Sequence, residues 1–485
     1  MELIYDILKK LKNNEIRQVR NHLKGSIFEF EKVGKLFELV TRNKGKDENF
    51  FSEKIYGKSP DNAFRVTKSR LKRILEDVIL DDKSISSYDA DHTNASLQSK
   101  KRLLQGEILL GRGAYKVSKN LLLQVVATSR KFSLHSEHFQ SQMLLYRSRS
   151  VNVSTREFEK GTDELLRLNQ VNHLVNEAAI HHYAVTNTLS QTSLKDDQLA
   201  AIEQKIARIE MIANETDSPI ARYYFLLSSI LIHQYTYRYS VAQHYCRLQL
   251  ELIRSEPAVK SKQKMGNAHF QLTETTLRKG DLTEAEKSAE ETLAHFSKDE
   301  TNYLIVLGTA FRIAYFQKNW AKAKEILLEA FSHPRFKVSP FREALWYYHQ
   351  SCLLFQMKNY SEALRTLNDA TALLRDKMGW NLTFRMLEIM ALYEAGMRDL
   401  IESKILNLRQ FVKRTQKTDE LYRSMKLIQI LMEWQRNGLD IQKTVVSAAR
   451  QFAELQEFHQ TVPFDPATGE LLRFEAWLLE KESRK

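Results

Sequence analysis

The stretch KNWAKAKEILLEA, residues 318–330, is written again 40 residues later as KNYSEALRTLNDA, residues 358–370. In the first copy Trp320, Ala323, Leu327 and Ala330 are spaced by three, four and three; in the second, Tyr360, Ala363, Leu367 and Ala370 keep that spacing. Steps of three and four place residues on one face of an α-helix. A bulky residue therefore opens a helix just after a short turn. The alanine three positions on has almost no side chain, so a neighbouring helix can approach closely there.

A large apolar residue followed three later by a small one recurs along the chain, at Tyr115/Ser118, Phe158/Gly161, Tyr239/Ala242, Leu282/Ala285, Trp320/Ala323, Tyr360/Ala363 and Leu400/Ser403. The steps are 43, 81, 43, 38, 40 and 40 residues, and the step of 81 spans two units, with a weaker copy expected near Leu199 and another near 439–441. Each copy follows a stretch of helical apolar spacing and a turn, as in HFQLTETTLRKGDLTEAEKSAEETL (269–293) and EALWYYHQSCLLFQMKNYSEALRTL (343–367). The unit is helix, turn, helix. One hairpin cannot bury its apolar face alone, whereas stacked hairpins bury a continuous core.

Composition agrees. At 485 residues the chain exceeds one ordinary domain unless it is a repeat array. Its 15 Gly and 7 Pro are too few for a turn-rich β-architecture. The two cysteines, Cys246 and Cys352, have no CxxC neighbour, which argues against a disulfide framework or a thiolate zinc site. The start MELIYDILKKLKNNE lacks the apolar run of a signal peptide, and LLLQVVA at 121–127 is too short to span a bilayer. These features give the expectation of a soluble, cytoplasmic chain with no membrane contact.

KGDLTEAE, KNWAKAKE and KNYSEALR resemble the middle of the tetratricopeptide repeat, in which a short turn leads to an aromatic residue and a small residue three later. The resemblance is good over 265–375 and thinner over 100–260 and 375–455. It departs in period, about 40 rather than 34, and in the glycine of the first helix, near which Ser351 and Phe311 stand. The resemblance implies an all-α, right-handed solenoid of about eight or nine helical hairpins across 100–485, with the first helices lining a concave, partner-binding surface. Carried over residue by residue, the inward positions are Ile305, Arg312, Tyr315 and Phe316 in one unit and Leu345, Tyr348, Cys352, Phe355 and Gln356 in the next. Of these, Arg312, Tyr315, Phe316, Tyr348, Phe355 and Gln356 are the expected contacts to a protein or peptide, since aromatics and Arg dominate interface hot spots. The same stripe of aromatics also fits packing between helices.

Residues 1–83 do not carry the repeat and read as a small helical domain, with helices near 2–12, 13–24, 30–42, 47–56 and 60–80, followed by a polar linker at 84–99. In the last helix Ser59 can cap, Pro60 suits the first turn and Asp61 the positive helix end. Residues 1–149 carry 29 Lys and Arg against 18 Asp and Glu, nearly all of the chain's net charge of +13. Ten of these cations lie in 100–149, against Glu107 and Glu137. The stretch IYGKSPDNAFRVTKSRLKRILEDV, residues 55–78, resembles the recognition helix of winged-helix transcription regulators, although no β-rich wing follows Leu80. That resemblance implies a second reading, a regulator contacting DNA through Arg65, Lys68, Arg70, Lys72 and Arg73 by phosphate and base-edge contacts. A helical cap with a solvated basic face is the alternative for the same residues.

No phosphate loop of the type GxxxxGK[ST], no GxGxxG and no GxSxG elbow is present. His173, Glu177 and His181 are spaced by four, and His135 and His138 by three, without the further ligands zinc takes. The expectation is a non-enzymatic binding protein with no cofactor or metal.

Overall fold

One backbone turn recurs through the chain and cuts it into hairpins. In the computed structural model, which describes residues 1–11, 13–24, 31–80, 91–149, 154–190, 194–376, 379–415, 421–462, 464–466 and 469–483, residues Gly113, Tyr237, Gly280, Lys318, Lys358, Gly396 and Gly438 take left-handed φ values between 58° and 86°. In each, the following N–H reaches back five residues to a helix-end carbonyl. Examples are Asn319 N to Ala314 O and Asn359 N to Leu354 O, both 2.9 Å, and Asp281 N to Thr276 O, 3.2 Å. The turn thus satisfies carbonyls that the end of a helix would leave orphaned. Gly reaches this conformation freely; Tyr237, Lys318 and Lys358 adopt it at a cost of about 1–2 kcal/mol each.

The second helix of each hairpin opens two residues beyond most of these turns, at Tyr115, Tyr239, Leu282, Trp320 and Tyr360. Asp281 and Asn319 cap their helices by accepting from the N–H groups of Glu284 and Lys322, both at 3.1 Å. The small residues three positions in, Ser118, Ala242, Ala285, Ala323 and Ala363, are all buried. The comb read in the sequence fails at two teeth. Phe158 lies three residues inside helix Thr155–Leu189 and is exposed. Leu400 and Ser403 point outward from helix Arg398–Thr415, whose inward face is Ile401, Ile405 and Leu408. There a one-residue shift in register replaces the expected pair.

The described residues form 24 α-helices, one 3₁₀-helix and no strand. They divide into two compact units, Met1–Asn172 and His173–Lys485. The division falls inside helix Thr155–Leu189, not at residue 100. Helix Asp91–Gly111 occupies most of the expected linker, with Ser99 and Leu103 buried and Ser96 bonded to Glu137 at 2.7 Å; residues 81–90 lie outside the described residues.

In the first unit the helices Glu2–Lys10, Asn13–Lys24, Glu31–Arg42, Glu48–Tyr56 and Asn62–Ile79 surround a core of Ile4, Val19, Leu36, Phe37, Phe51, Phe64, Leu71 and Leu75. The cap of Asn62–Ile79 is Asp61, which accepts from Phe64 N at 3.0 Å, rather than Ser59. Hairpin Asp91–Gly111/Tyr115–Phe132 and helix His135–Arg149 follow.

In the second unit each helix packs on the next in order: Asp196–Thr216, Pro219–Tyr235/Tyr239–Ser255, Lys262–Lys279/Leu282–Ala294, Thr301–Phe316/Trp320–Ser332, Pro340–Gln356/Tyr360–Leu367, Trp380–Glu394/Arg398–Thr415 and Leu421–Arg436/Ile441–Ser447. First helices of adjacent hairpins also touch, Lys262–Lys279 with Thr301–Phe316 and Pro340–Gln356 with Trp380–Glu394. The chain is an all-α helical-hairpin solenoid. Polar bonds at nearly one repeat of separation hold successive hairpins in register: Gln234 to Thr275 (2.6 Å), Gln243 to Glu284 (2.7 Å) and Arg312 to Glu274 (2.9 Å). Two further helices, Ala449–Thr461 and Phe474–Ser483, close the chain, the latter burying Phe474, Trp477 and Leu478 in the main core.

Candidate peptide-binding groove

Of the expected inward residues, Tyr315, Tyr348 and Phe355 are 3%, 1% and 6% exposed, and Cys352 is fully buried. They pack helix on helix and are closed to a partner in this conformation, which corrects their placement on a binding surface. The reason lies in the turn. Tyr315 and Phe355 each stand five residues before the bulky opener of the next helix, and they clasp it across the turn: Tyr315 on Trp320 at 5.5 Å and Phe355 on Tyr360 at 5.3 Å, both edge-on. Tyr348 meets the Trp380 ring edge-on at 6.0 Å. Leu345 is half-buried, and Ile305 and Gln356 are exposed. Gln356 donates to the Tyr315 hydroxyl at 3.2 Å, joining two repeats.

Arg312 belongs to a polar cluster on the first helices. Its Nη2 lies 2.9 Å from Glu274 Oε1 and 2.8 Å from Thr309 Oγ1, while the Thr309 hydroxyl also donates to Glu274 at 2.6 Å. One turn further along Lys262–Lys279, Arg278 lies 3.7 Å from the other Glu274 oxygen. Its Nε reaches both carboxylate oxygens of Asp465, at 3.1 and 3.2 Å, across 187 residues of chain. Burial works against the charge of Arg278, but Asp465 and Glu274 outweigh it and hold its pKa above the ordinary value.

Asp465 is one of several contacts made by a single non-helical segment. Phe464 sets its ring edge-on to Phe316 at 6.1 Å, and the Arg473 guanidinium stands 5.2 Å from the Phe464 centroid. Gly469 passes so close to Trp380 that a β-carbon there would be 2.5 Å from ring atoms Cε3 and Cζ3. Glu470 and Glu475 both reach Arg423, at 2.8 Å each. Beyond them Trp477 Nε1 and Lys481 Nζ donate to Glu394, each at 2.8 Å.

The segment therefore touches four first helices, Lys262–Lys279 and Thr301–Phe316 at its leading end, then Trp380–Glu394, then Leu421–Arg436. Burial, opposed by Arg423 and aided by the second carboxylate, pushes Glu470 up to about 7. Glu475 goes the other way. Burial favours its proton, but the His459 hydrogen bond with Arg423 and Arg473 draws it down to about 2. The pair shares its charge unequally because Glu475 has Arg473 at 3.0 Å and His459 at 3.7 Å in addition to the Arg423 guanidinium that it shares with Glu470.

No family model and no curated protein matches the chain. Among solved structures it is similar to the crystal structure of NprR in complex with its cognate peptide NprX, at 12% identity and a TM-score of 0.38, over 69% of this chain and 97% of that one.

The segment was not among the sequence-based candidates. Its signal was available: TVPFDPATGE, residues 461–470, holds two of the chain's seven prolines within four positions, where a helix cannot continue. Nothing local indicates that it returns to Arg278.

In the first unit the basic helix is partly occupied. Lys68 bonds Glu48 at 2.6 Å, where Glu48 also takes the chain's N-terminal amine at 3.1 Å, and Lys72 pairs with Glu76 at 3.3 Å. Arg65, Arg70 and Arg73 are exposed. A winged-helix arrangement is not seen: the described residues of this unit contain no strand. Of the spaced residues His173, Glu177 and His181, Glu177 accepts Arg208 through both oxygens at 2.7 and 3.0 Å and stands 3.5 Å from His181. Among the described residues no helix is long and apolar enough to cross a membrane.

Proposed function

We propose that the chain is a non-enzymatic binding protein that holds an extended protein or peptide segment along the first helices of its second unit. One observation carries this reading: a stretch of non-helical polypeptide already lies on those helices, anchored by Arg278 on Asp465 and by Phe316 on Phe464. Side chains fixed on rigid helices lose little freedom on contact, so an extended segment is bound at low ordering cost. The NprR likeness is too distant to add weight.

Panning a random peptide display library on the immobilised full chain tests it. Enriched peptides should bind the wild-type chain and lose at least tenfold in affinity on Arg278→Gln with Phe316→Ala. Absence of enrichment, or enriched peptides indifferent to both substitutions, would reject the groove.

A second reading, DNA contact by the first unit, is favoured by the exposure of Arg65, Arg70 and Arg73 on one helix. Anisotropy titration with mixed duplex DNA would show binding that survives near-physiological salt and falls with Arg65→Ala, Arg70→Ala and Arg73→Ala together. Binding lost at moderate salt, or unchanged by these substitutions, would mark a generic basic surface.

A further inference from the structure

The segment that carries Phe464, Asp465, Gly469 and Glu470 meets two cationic and two aromatic positions on the first helices. In order these are Phe316 with Arg278, then Trp380, then Arg423. The complement is complete on both sides. An aromatic ring precedes an acid, a residue without a side chain passes close to the indole, and a second acid follows. The hold at the leading end is narrow: one ion pair whose two side chains are 23% and 25% exposed, and one edge-on ring contact. The trailing helix Phe474–Ser483, by contrast, is part of the main core through Phe474, Trp477 and Leu478. The segment can therefore lift between helices Ala449–Thr461 and Phe474–Ser483 while both helices stay.

We infer that this segment is an internal occupant of the groove, and that the partner is an extended acidic peptide with an aromatic residue directly before its first carboxylate, which competes with it. The inference rests on the binding reading above and adds the chemistry of the ligand and a self-masking state. A segment tethered to its own site raises its local concentration far above that of a free peptide, so a partner binds only when it exceeds the tether's effective concentration. A partner lacking either the ring or the acid leaves Phe316 or Arg278 without its present complement.

Gly469 offers a release variant. Trp380 packs edge-on against Phe341 at 6.2 Å and buried Tyr348 at 6.0 Å, so a new β-carbon 2.5 Å from its ring sets the segment against a packed aromatic cluster. Gly469→Ala should lift the segment without changing any charge. The probe is a fluorescein-labelled peptide of residues 461–473, TVPFDPATGELLR, titrated by anisotropy against the full chain.

The expected result is at least tenfold tighter binding to Gly469→Ala than to wild type. Adding Arg278→Gln should remove that gain, and the same peptide with Ala at the Phe464 and Asp465 positions should not bind. If circular dichroism shows that Gly469→Ala has lost helix, Phe464→Ala with Asp465→Asn replaces it as the release variant. Equal affinity for the wild-type and released chains, or affinity insensitive to Arg278→Gln, overturns the inference. Capture of library peptides without capture of this one overturns the inference and leaves the binding reading standing; capture of neither removes both.

Discussion

Arg423 bonds two buried acids at once, Glu470 and Glu475, and its removal has a calculable consequence. Its side chain is 16% exposed, and those of Glu470 and Glu475 are 13% and 6% exposed, with guanidinium–carboxylate distances of 2.8 Å to each. Arg423→Met keeps the length of the side chain and deletes the charge. Two carboxylates then face each other with Arg473, 3.0 Å from Glu475, as the nearest remaining guanidinium. Stranding a buried partner in this way costs about 3–5 kcal/mol.

The loss is local in a solenoid, because each hairpin is supported mainly by its neighbours. It should appear as faster amide exchange in Leu421–Arg436 and Phe474–Ser483, and as an earlier transition in the fluorescence of Trp434 and Trp477, whose rings lie 5.8 Å apart. Two companion measurements isolate the cause. Combining Arg423→Met with Glu470→Gln and Glu475→Gln removes all three charges and should recover most of the loss, since neutral replacement of a buried ionic cluster is close to neutral in stability. Lowering the pH should also narrow the gap between Arg423→Met and wild type, because protons then neutralise the stranded carboxylates. A loss below about 1 kcal/mol, the range of an exposed ion pair, or a triple variant no more stable than the single one, would refute the reasoning.

Three further outcomes are expected. Ala323→Leu places three carbons where no space exists and should destabilise by about 1–3 kcal/mol, while Ala321→Leu, on the exposed side of the same helix, should stay within about 0.5 kcal/mol; paired urea melts compare them. Lys318 holds a φ of 58°, so Lys318→Gly should stabilise by up to about 1 kcal/mol, the left-handed strain relieved being offset by greater freedom of the unfolded chain, whereas Gly280→Ala at φ 86° should destabilise in the same melts. Burial, with Arg312 adding, pushes His349 down to about 3, below its usual 6.5. Its contribution is complete above 6.5 and is lost as pH falls from there toward 3, because the unfolded chain takes the proton first. A stability–pH profile of His349→Phe should be flatter than wild type over that window.

How much of this was legible varies from residue to residue. Ala323, Ala363 and the openers Trp320 and Tyr360 could be read directly, because spacing of three and four within a dozen residues is a local consequence of helix geometry. The left-handed turn was half legible: Gly113, Gly280, Gly396 and Gly438 mark it, but Tyr237, Lys318 and Lys358 take the same conformation without that sign. Tyr315 and Phe355 were misplaced because an aromatic residue near the end of a first helix has two partners available, the opener of the next helix or a ligand, and spacing does not distinguish them. In this structure the opener takes it.

The sequence by itself determined the class of element, the repeat and its period, since each depends on residues within one hairpin. Only the tertiary structure decided which faces are closed and what lies on the first helices. Asp465 reaches Arg278 across 187 residues, and Glu470 reaches Arg423 across 47. No periodicity carries such pairings. They follow from the path of a segment in which Pro466 cannot continue a helix and which a core-anchored helix, Phe474–Ser483, brings back over hairpins completed long before it in the chain.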